Sequence, residues 1–187
     1  MDLIYHAREI PGLLLLRPKP YRDGRGALFE MYRKELYEQA GICVTFLQDN
    51  LSVSRKNVIR GLHFQQRSPQ AKLVTCVRGA VYDVALDLRP GSASFGRWSA
   101  MTLSEEKGEQ TYIPAGFAHG FAALTEPAVL LYKCSASYDP DDQWGVNLAD
   151  PELAIPWPVA EPLISDRDRS LPLLREIAGM LGTRTGL

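Results

Sequence analysis

Only three histidines, His6, His63 and His119, are available for imidazole chemistry in this chain. His63 sits in Arg60-Gly61-Leu62-His63-Phe64-Gln65. In an extended strand Leu62 and Phe64 face one side, and His63 faces the other with Gly61 and Gln65. Just upstream, Gln48, Asn50 and Ser52 occupy alternate positions, which aims three polar side chains one way. That alternation also suits an ordinary solvent-facing strand, and a lone strand histidine suits a hydrogen-bonded structural role as well as proton transfer. His119 follows Ile113-Pro114-Ala115-Gly116, a turn that delivers it onto the next strand. Tyr132, in Leu130-Leu131-Tyr132-Lys133-Cys134, and Tyr138, before Asp139-Pro140, read singly as packing. Ile164-Ser165-Asp166-Arg167-Asp168 reads singly as a solvated loop ahead of a terminal helix.

The Pro114, Gly116 and His119 spacing resembles the second metal motif of the cupins, a jelly-roll superfamily. The partner motif there offers two histidines two apart and a glutamate, whereas this chain reads His63-Phe64-Gln65. With no third ligand in sight, a tight zinc or iron site is not expected. Cys43, Cys76 and Cys134 are odd in number and widely spaced, so free thiols are expected rather than a disulfide framework.

The elements that must position these groups are mostly strands. The clearest is 81–88, where Tyr82, Val84, Leu86 and Leu88 share one face and Val81, Asp83, Ala85 and Asp87 the other. Arg78-Gly79 suits a tight turn, so 72–89 reads as one hairpin with Val77 opposite Ala80 and Val74 opposite Asp83. Lys72 and Asp83 then point the same way as diagonal neighbours. Further strands are expected over 13–18, 27–32, 46–54, 96–103, 110–113, 119–123 and 129–135. Helical signals are confined to 33–40 and to the tail from Leu171, and four prolines in 151–162 predict an extended strap.

The sum of 187 residues, 45% of them hydrophobic and 23% charged, predicts one folded domain, 1–187. Lys and Arg number 21 against 22 Asp and Glu, leaving a net charge of -1 and no global field for a nucleic acid polymer or an anionic membrane. An anionic ligand must be held locally. The longest aliphatic run, Leu13 to Leu16, is four residues against roughly 20 for a membrane span, and no secretory leader is visible. A cytoplasmic location is expected.

Together these segments resemble the dTDP-4-dehydrorhamnose 3,5-epimerase family. The resemblance rests on Asp23-Gly24-Arg25-Gly26 with Phe29-Glu30, Gln48-Asp49-Asn50, Arg60 to Gln65, Lys72-Leu73-Val74, Ile113 to Phe121, Leu131-Tyr132-Lys133 and Arg167-Asp168. It implies a mainly β, cupin-like jelly-roll barrel with short peripheral helices, a homodimer, and no metal or organic cofactor. The implied substrate is dTDP-4-dehydro-6-deoxy-D-glucose, whose carbons 3 and 5 flank a ketone. His63 then matches the base, Asp168 its orienting carboxylate, Lys72 the cation beside the carbonyl and Tyr132 the acid on the far face. Asp83, from its shared face, would hold Lys72. Arg25, Glu30, Gln48, Asn50, Arg60 and His119 match nucleotide-sugar contacts, with Arg25 and Arg60 suited to diphosphate. Tyr21 and Tyr138 could stack on thymine or merely pack at the rim.

Two departures bear on specificity. Gln143, followed by Trp144, stands where the family often has glutamate, and Arg167-Asp168 replaces a common Lys-Asp pair. They leave open a relative that inverts one centre, while a non-catalytic sugar-binding cupin module and a metal-dependent cupin are the readings from other classes.

Overall fold

The computed structural model describes residues 3–182. In chain order the strands are β1 (Leu3–Ala7), β2 (Leu14–Pro18), β3 (Tyr21–Asp23), β4 (Gly26–Leu28), β5 (Gln48–Ser54), β6 (Ile59–Gln65), β7 (Lys72–Arg78), β8 (Ala80–Asp87), β9 (Trp98–Ser104), β10 (Gln110–Ile113), β11 (Phe117–Ala123), β12 (Ala128–Cys134) and β13 (Gln143–Gly145). Three short helices, α1 (Lys34–Gln39), α2 (Asp166–Arg169) and α3 (Leu174–Gly182), lie at the periphery. One sheet runs β1-β2-β10-β7-β12-β5 and the other β13-β6-β11-β8-β9, with β3-β4 as a separate hairpin.

The two sheets face each other across a shared core. Val74, Cys76, Ile113 and Leu130 come from the first sheet, and Val81, Ala85, Leu103, Phe117 and Phe121 from the second. The alternate residues of the second sheet, Leu62, Phe64, Val84, Leu86 and Ala118, point the opposite way and are covered by Leu153, Ile155, Leu174, Ile177 and Leu181. That second layer is supplied by the proline-rich strap and α3. It explains why β8 and β11 are buried on both faces. On the far side, Tyr37, Ala40 and Ile42 from α1 and its exit cover Leu16, Leu73 and Tyr112.

The expected hairpin over 72–89 does not form. β7 and β8 sit in different sheets, β7 between β10 and β12 and β8 between β9 and β11, so Val77 does not pair with Ala80 nor Val74 with Asp83. Gly79, at φ +74°, turns the chain from one sheet to the other, and a Cβ there would meet Thr125 Oγ1 at 2.0 Å. The expected face assignment of β8 survives, because its period of two does not depend on its partner. The strand expected over 27–32 shrinks to Gly26–Leu28, paired with β3.

Two tight points hold the barrel's ends. At one, Asp87 is fully buried and accepts from Arg89 Nη2 at 2.6 Å, Ser92 Oγ at 2.7 Å and Ser94 Oγ at 2.6 Å. Burial pushes this carboxyl up, but those bonds outweigh it and bring its pKa down to about 2. At the other, β6 crosses β11: His63 is opposite His119 and Arg60 opposite Phe121, so the register shifts by one residue between them. Gly61 fits this crossing with φ +121°, and a Cβ would lie 2.5 Å from Gly120 Cα.

Two outcomes follow from these points. Gly61→Ala should lose at least about 2 kcal/mol of stability in urea titration, since neither backbone can give way. For Asp87 the folded pKa lies below the unfolded value of about 3.9, so its contribution is full above that value and declines as pH falls toward 2. Denaturant midpoints measured at stepwise pH should therefore drop across that window, and less steeply in Asp87→Asn.

Candidate active site

His63 lies on β6, backed by buried Leu62 and Phe64 as the alternation requires. Its Nε2 is 2.8 Å from Asp168 Oδ1, a contact between residues 105 apart in the chain. An ionised carboxylate only accepts, so Nε2 carries the hydrogen and Nδ1 keeps a basic lone pair. Asp168 reaches this position from α2. Ser165 Oγ accepts from the Asp168 backbone N–H at 3.1 Å and caps the helix, and the Gly61 N–H donates to Oδ2 at 3.3 Å. Burial pushes the Asp168 carboxyl up, but the bonds from His63, Gly61 and Ser165 outweigh it and hold it below the usual range.

The couple opens on a cavity of about 530 Å³, also lined by Ser52, Arg60, Lys72, His119, Phe121, Tyr132, Ser165 and Arg167. An adjoining hollow of about 180 Å³ shares His63, Lys72 and Tyr132 and adds Gln48, Asn50, Cys134, Tyr138 and Gln143. The three shared residues form the wall between the two spaces. Lys72 is 8% exposed, and burial pushes its ammonium below the ordinary lysine value against the pull of Cys134 and Asp83. Burial raises the Tyr132 phenol, so it stays protonated at neutral pH.

His119 is buried beside this wall, and its Nε2 lies 2.6 Å from Asp83 Oδ1. Asp83 therefore holds His119 by direct contact; it reaches Lys72 only through space, which corrects the expectation that it braces the lysine. Nor are Lys72 and Asp83 diagonal neighbours pointing the same way, as the hairpin register predicts: they approach the shared interior from opposing sheets. Gln48 accepts from the Tyr138 N–H at 2.8 Å and donates to Asn50 at 2.9 Å, and the Tyr138 hydroxyl donates to Gln143 at 2.6 Å. The rim of the smaller hollow is thus one amide-rich chain of hydrogen bonds.

Three expected binding residues are elsewhere. Tyr21 and Arg25 belong to the β3-β4 hairpin, with Arg25 90% exposed at its side chain and paired to Asp23 at 2.7 Å. Glu30 lies just beyond that hairpin, 3.5 Å from Arg33, and lines neither space. Conversely, Ser165 escaped the sequence reading, although a serine three residues before an aspartate is a helix-start signal. Ser52 was seen only as part of the polar alternation, and nothing local announces the Gly61 N–H as a carboxylate partner. Among the described residues no three His, Cys, Asp or Glu side chains gather as a metal site.

The geometry finds close counterparts among known proteins. Residues 7–176 match the family model described as dTDP-4-dehydrorhamnose 3,5-epimerase. The chain is 46% identical over 168 residues to the dTDP-4-dehydrorhamnose 3,5-epimerase of Salmonella typhimurium, covering 88% of this chain and 92% of that one. It is 47% identical over 162 residues to the Pseudomonas aeruginosa enzyme of the same name, covering 86% and 90%. Among solved structures, a Legionella pneumophila dTDP-6-deoxy-D-glucose-3,5-epimerase in complex with dTDP-4-keto-L-rhamnose superposes with a TM-score of 0.94 at 40% identity, covering 100% of both chains. A 3'-monoepimerase from Streptomyces bikiniensis in complex with dTDP-quinovose superposes at 0.88 and 39%, covering 94% of this chain and 90% of that one. With this sequence, this cupin-like jelly roll and a His63–Asp168 couple facing Lys72 and Tyr132, the chain belongs to the dTDP-4-dehydrorhamnose 3,5-epimerase family of isomerases.

Proposed function

We propose that this protein epimerises dTDP-4-dehydro-6-deoxy-D-glucose at carbons 3 and 5, giving dTDP-4-dehydro-L-rhamnose, with groups supplied by the chain alone. The observation that carries the reading is the 2.8 Å His63–Asp168 contact opening on the same wall as Lys72 and Tyr132. His63 Nδ1 takes a proton from the carbon next to the ketone, and Asp168 holds the ring tautomer and stabilises the imidazolium that forms. The electron pair left behind spreads onto the carbonyl oxygen, where Lys72 favours the enolate over the ketone. Tyr132 returns a proton to the opposite face and inverts the centre. His63 then loses its proton and Tyr132 regains one through solvent, so the cycle closes.

Arg60 and Arg167, on the rim of the larger cavity, suit the diphosphate, because a guanidinium fork meets phosphate oxygens in pairs. Gln48, Asn50, His119, Tyr138 and Gln143 supply polar contacts along the sugar and nucleoside. The free thiols Cys43, Cys76 and Cys134 accord with a cytoplasmic, reducing compartment, and no described helix is long and apolar enough to cross a membrane.

The homodimer belongs to the same proposal. β5 is an edge strand on which Leu51 and Val53, 63% and 61% exposed, border the larger cavity, with exposed Leu47 just before it. The β3-β4 hairpin exposes Tyr21 and Leu28, and a lone two-stranded hairpin is marginal in water. A second copy laid against β5 would cover both kinds of apolar surface. It would also give Tyr21, Arg25 and Glu30 a cavity to act on, that of the partner.

The 4-keto nucleotide sugar in deuterium oxide should take up label at carbons 3 and 5, read by proton NMR; label at carbon 3 alone would instead mark a single-centre enzyme. His63→Ala should slow exchange by about 10²- to 10⁴-fold while binding dTDP within about twofold of the parent. Full exchange in that variant would exclude His63 as the base. Sedimentation should show a dimer, and Leu51→Glu with Val53→Glu should shift it toward monomer; a parent that sediments as monomer removes the proposed assembly.

A further inference from the structure

Arg60 is the guanidinium that the proposed function assigns to the diphosphate, and its surroundings are unusual for a surface arginine. Among the described residues it has no carboxylate partner. Among those residues its side chain's only hydrogen bond runs from Nε to Ser54 Oγ, at 3.1 Å. Ser54 is the last residue of β5 and 3% exposed, while Arg60 is the second residue of β6 in the opposite sheet, so this bond ties the two sheets across the loop at the cavity rim. Ser54 Oγ is also 3.5 Å from Ser52 Oγ, and Ser52 lines the cavity.

We infer that Ser54 is a positioning residue for substrate binding, holding the Arg60 guanidinium by its Nε so that both terminal amino groups stay available to one anionic ligand. The assignment rests on the reading of Arg60 as a diphosphate contact.

The chemistry is that of the guanidinium fork. Five N–H donors lie in one plane, and a phosphate accepts two parallel ones. A carboxylate partner would occupy the same terminal donors and compete with the ligand. A serine hydroxyl on Nε fixes the plane and leaves the fork free. Because Ser54 is buried, its hydroxyl has few other places to turn, and Ser52 offers it a second bond. Arg60 thereby meets the ligand with less side-chain freedom to lose, which strengthens binding in ground state and transition state alike.

Ser54→Ala should raise the KM for the 4-keto nucleotide sugar, and the dissociation constant for dTDP, by about tenfold. The kcat should stay within about twofold. Ser54→Thr, which restores the hydroxyl, should return both constants toward the parent values. Ser54→Cys keeps the side-chain size with a weaker acceptor and should fall between, and it serves in place of alanine if that variant does not fold. Arg60→Ala provides the reference. A large KM rise there with none in folded Ser54→Ala or Ser54→Cys overturns the positioning role alone. An unchanged KM in Arg60→Ala overturns both this role and the diphosphate contact. A fall in kcat at constant KM in Ser54→Ala would also overturn the inference.

Discussion

The site depends on one contact, the hydrogen bond between His63 on a central strand and Asp168 on a four-residue helix near the end of the chain. Neither partner is held by its immediate neighbours alone. α2 is far too short to be stable in isolation, and its position comes from the packing before and after it. The strap seats Leu153 and Ile155 on the outer face of the second sheet, the Val58–Leu163 bridge pairs the chain just before α2 with the segment entering β6, and α3 packs Leu174 and Ile177 onto the same layer. The carboxylate is fixed in turn by the Gly61 N–H and the Ser165 cap. Outer packing and inner chemistry are thus one arrangement: what covers the back of the sheet also delivers the aspartate to its front.

This explains a feature of the second sheet that is otherwise surprising in an antiparallel fold. Such sheets often leave one face to water, yet β8 and β11 are buried on both. Inward residues close the barrel, and outward ones anchor the strap. Buried polar groups then stand out, because each needs a partner. Asp83 has His119, and Asp87 has Arg89 with two serines. Two histidine–carboxylate couples face one interior, and the register of β6 with β11 sets His63 directly opposite His119.

Much of this was legible in the sequence where the information is local. The period of two in 81–88 names the correct faces, and the Leu62–Phe64 alternation places His63 on the cavity side. What was not legible is which strand lies beside which. Gly79 permits a tight turn in either case, but a hairpin and a sheet-to-sheet corner share that turn residue, and only the competition of β9, β10, β11 and β12 for the edges decides between them. The role of Asp83 failed for the same reason: its partner was assigned by a register that does not exist. Asp168 could be placed only through family resemblance, since its segment, read alone, is a charged loop. Arg25, Tyr21 and Glu30 mark the remaining limit, because a motif in a chain does not say where it sits relative to the cavity, and none of the three lines either hollow.

The charge arrangement carries the last step. A chain with net charge -1 has no field to gather an anion, yet Arg60 and Arg167 meet at one cavity rim with Lys72 behind them. Burial alone disfavours the Lys72 ammonium, and no carboxylate contacts it directly among the described residues. A salt bridge would favour the ammonium but would also commit its charge to the protein. On the proposed function a diphosphate at the rim would act differently, its negative charge favouring the Lys72 ammonium through the low-dielectric interior while the attached sugar brings its carbonyl into the same cavity. On the same proposal Lys72 would stabilise the enolate more than the ketone from which it forms. With no carboxylate in direct contact among the described residues, Lys72 would keep its charge for the proposed reaction.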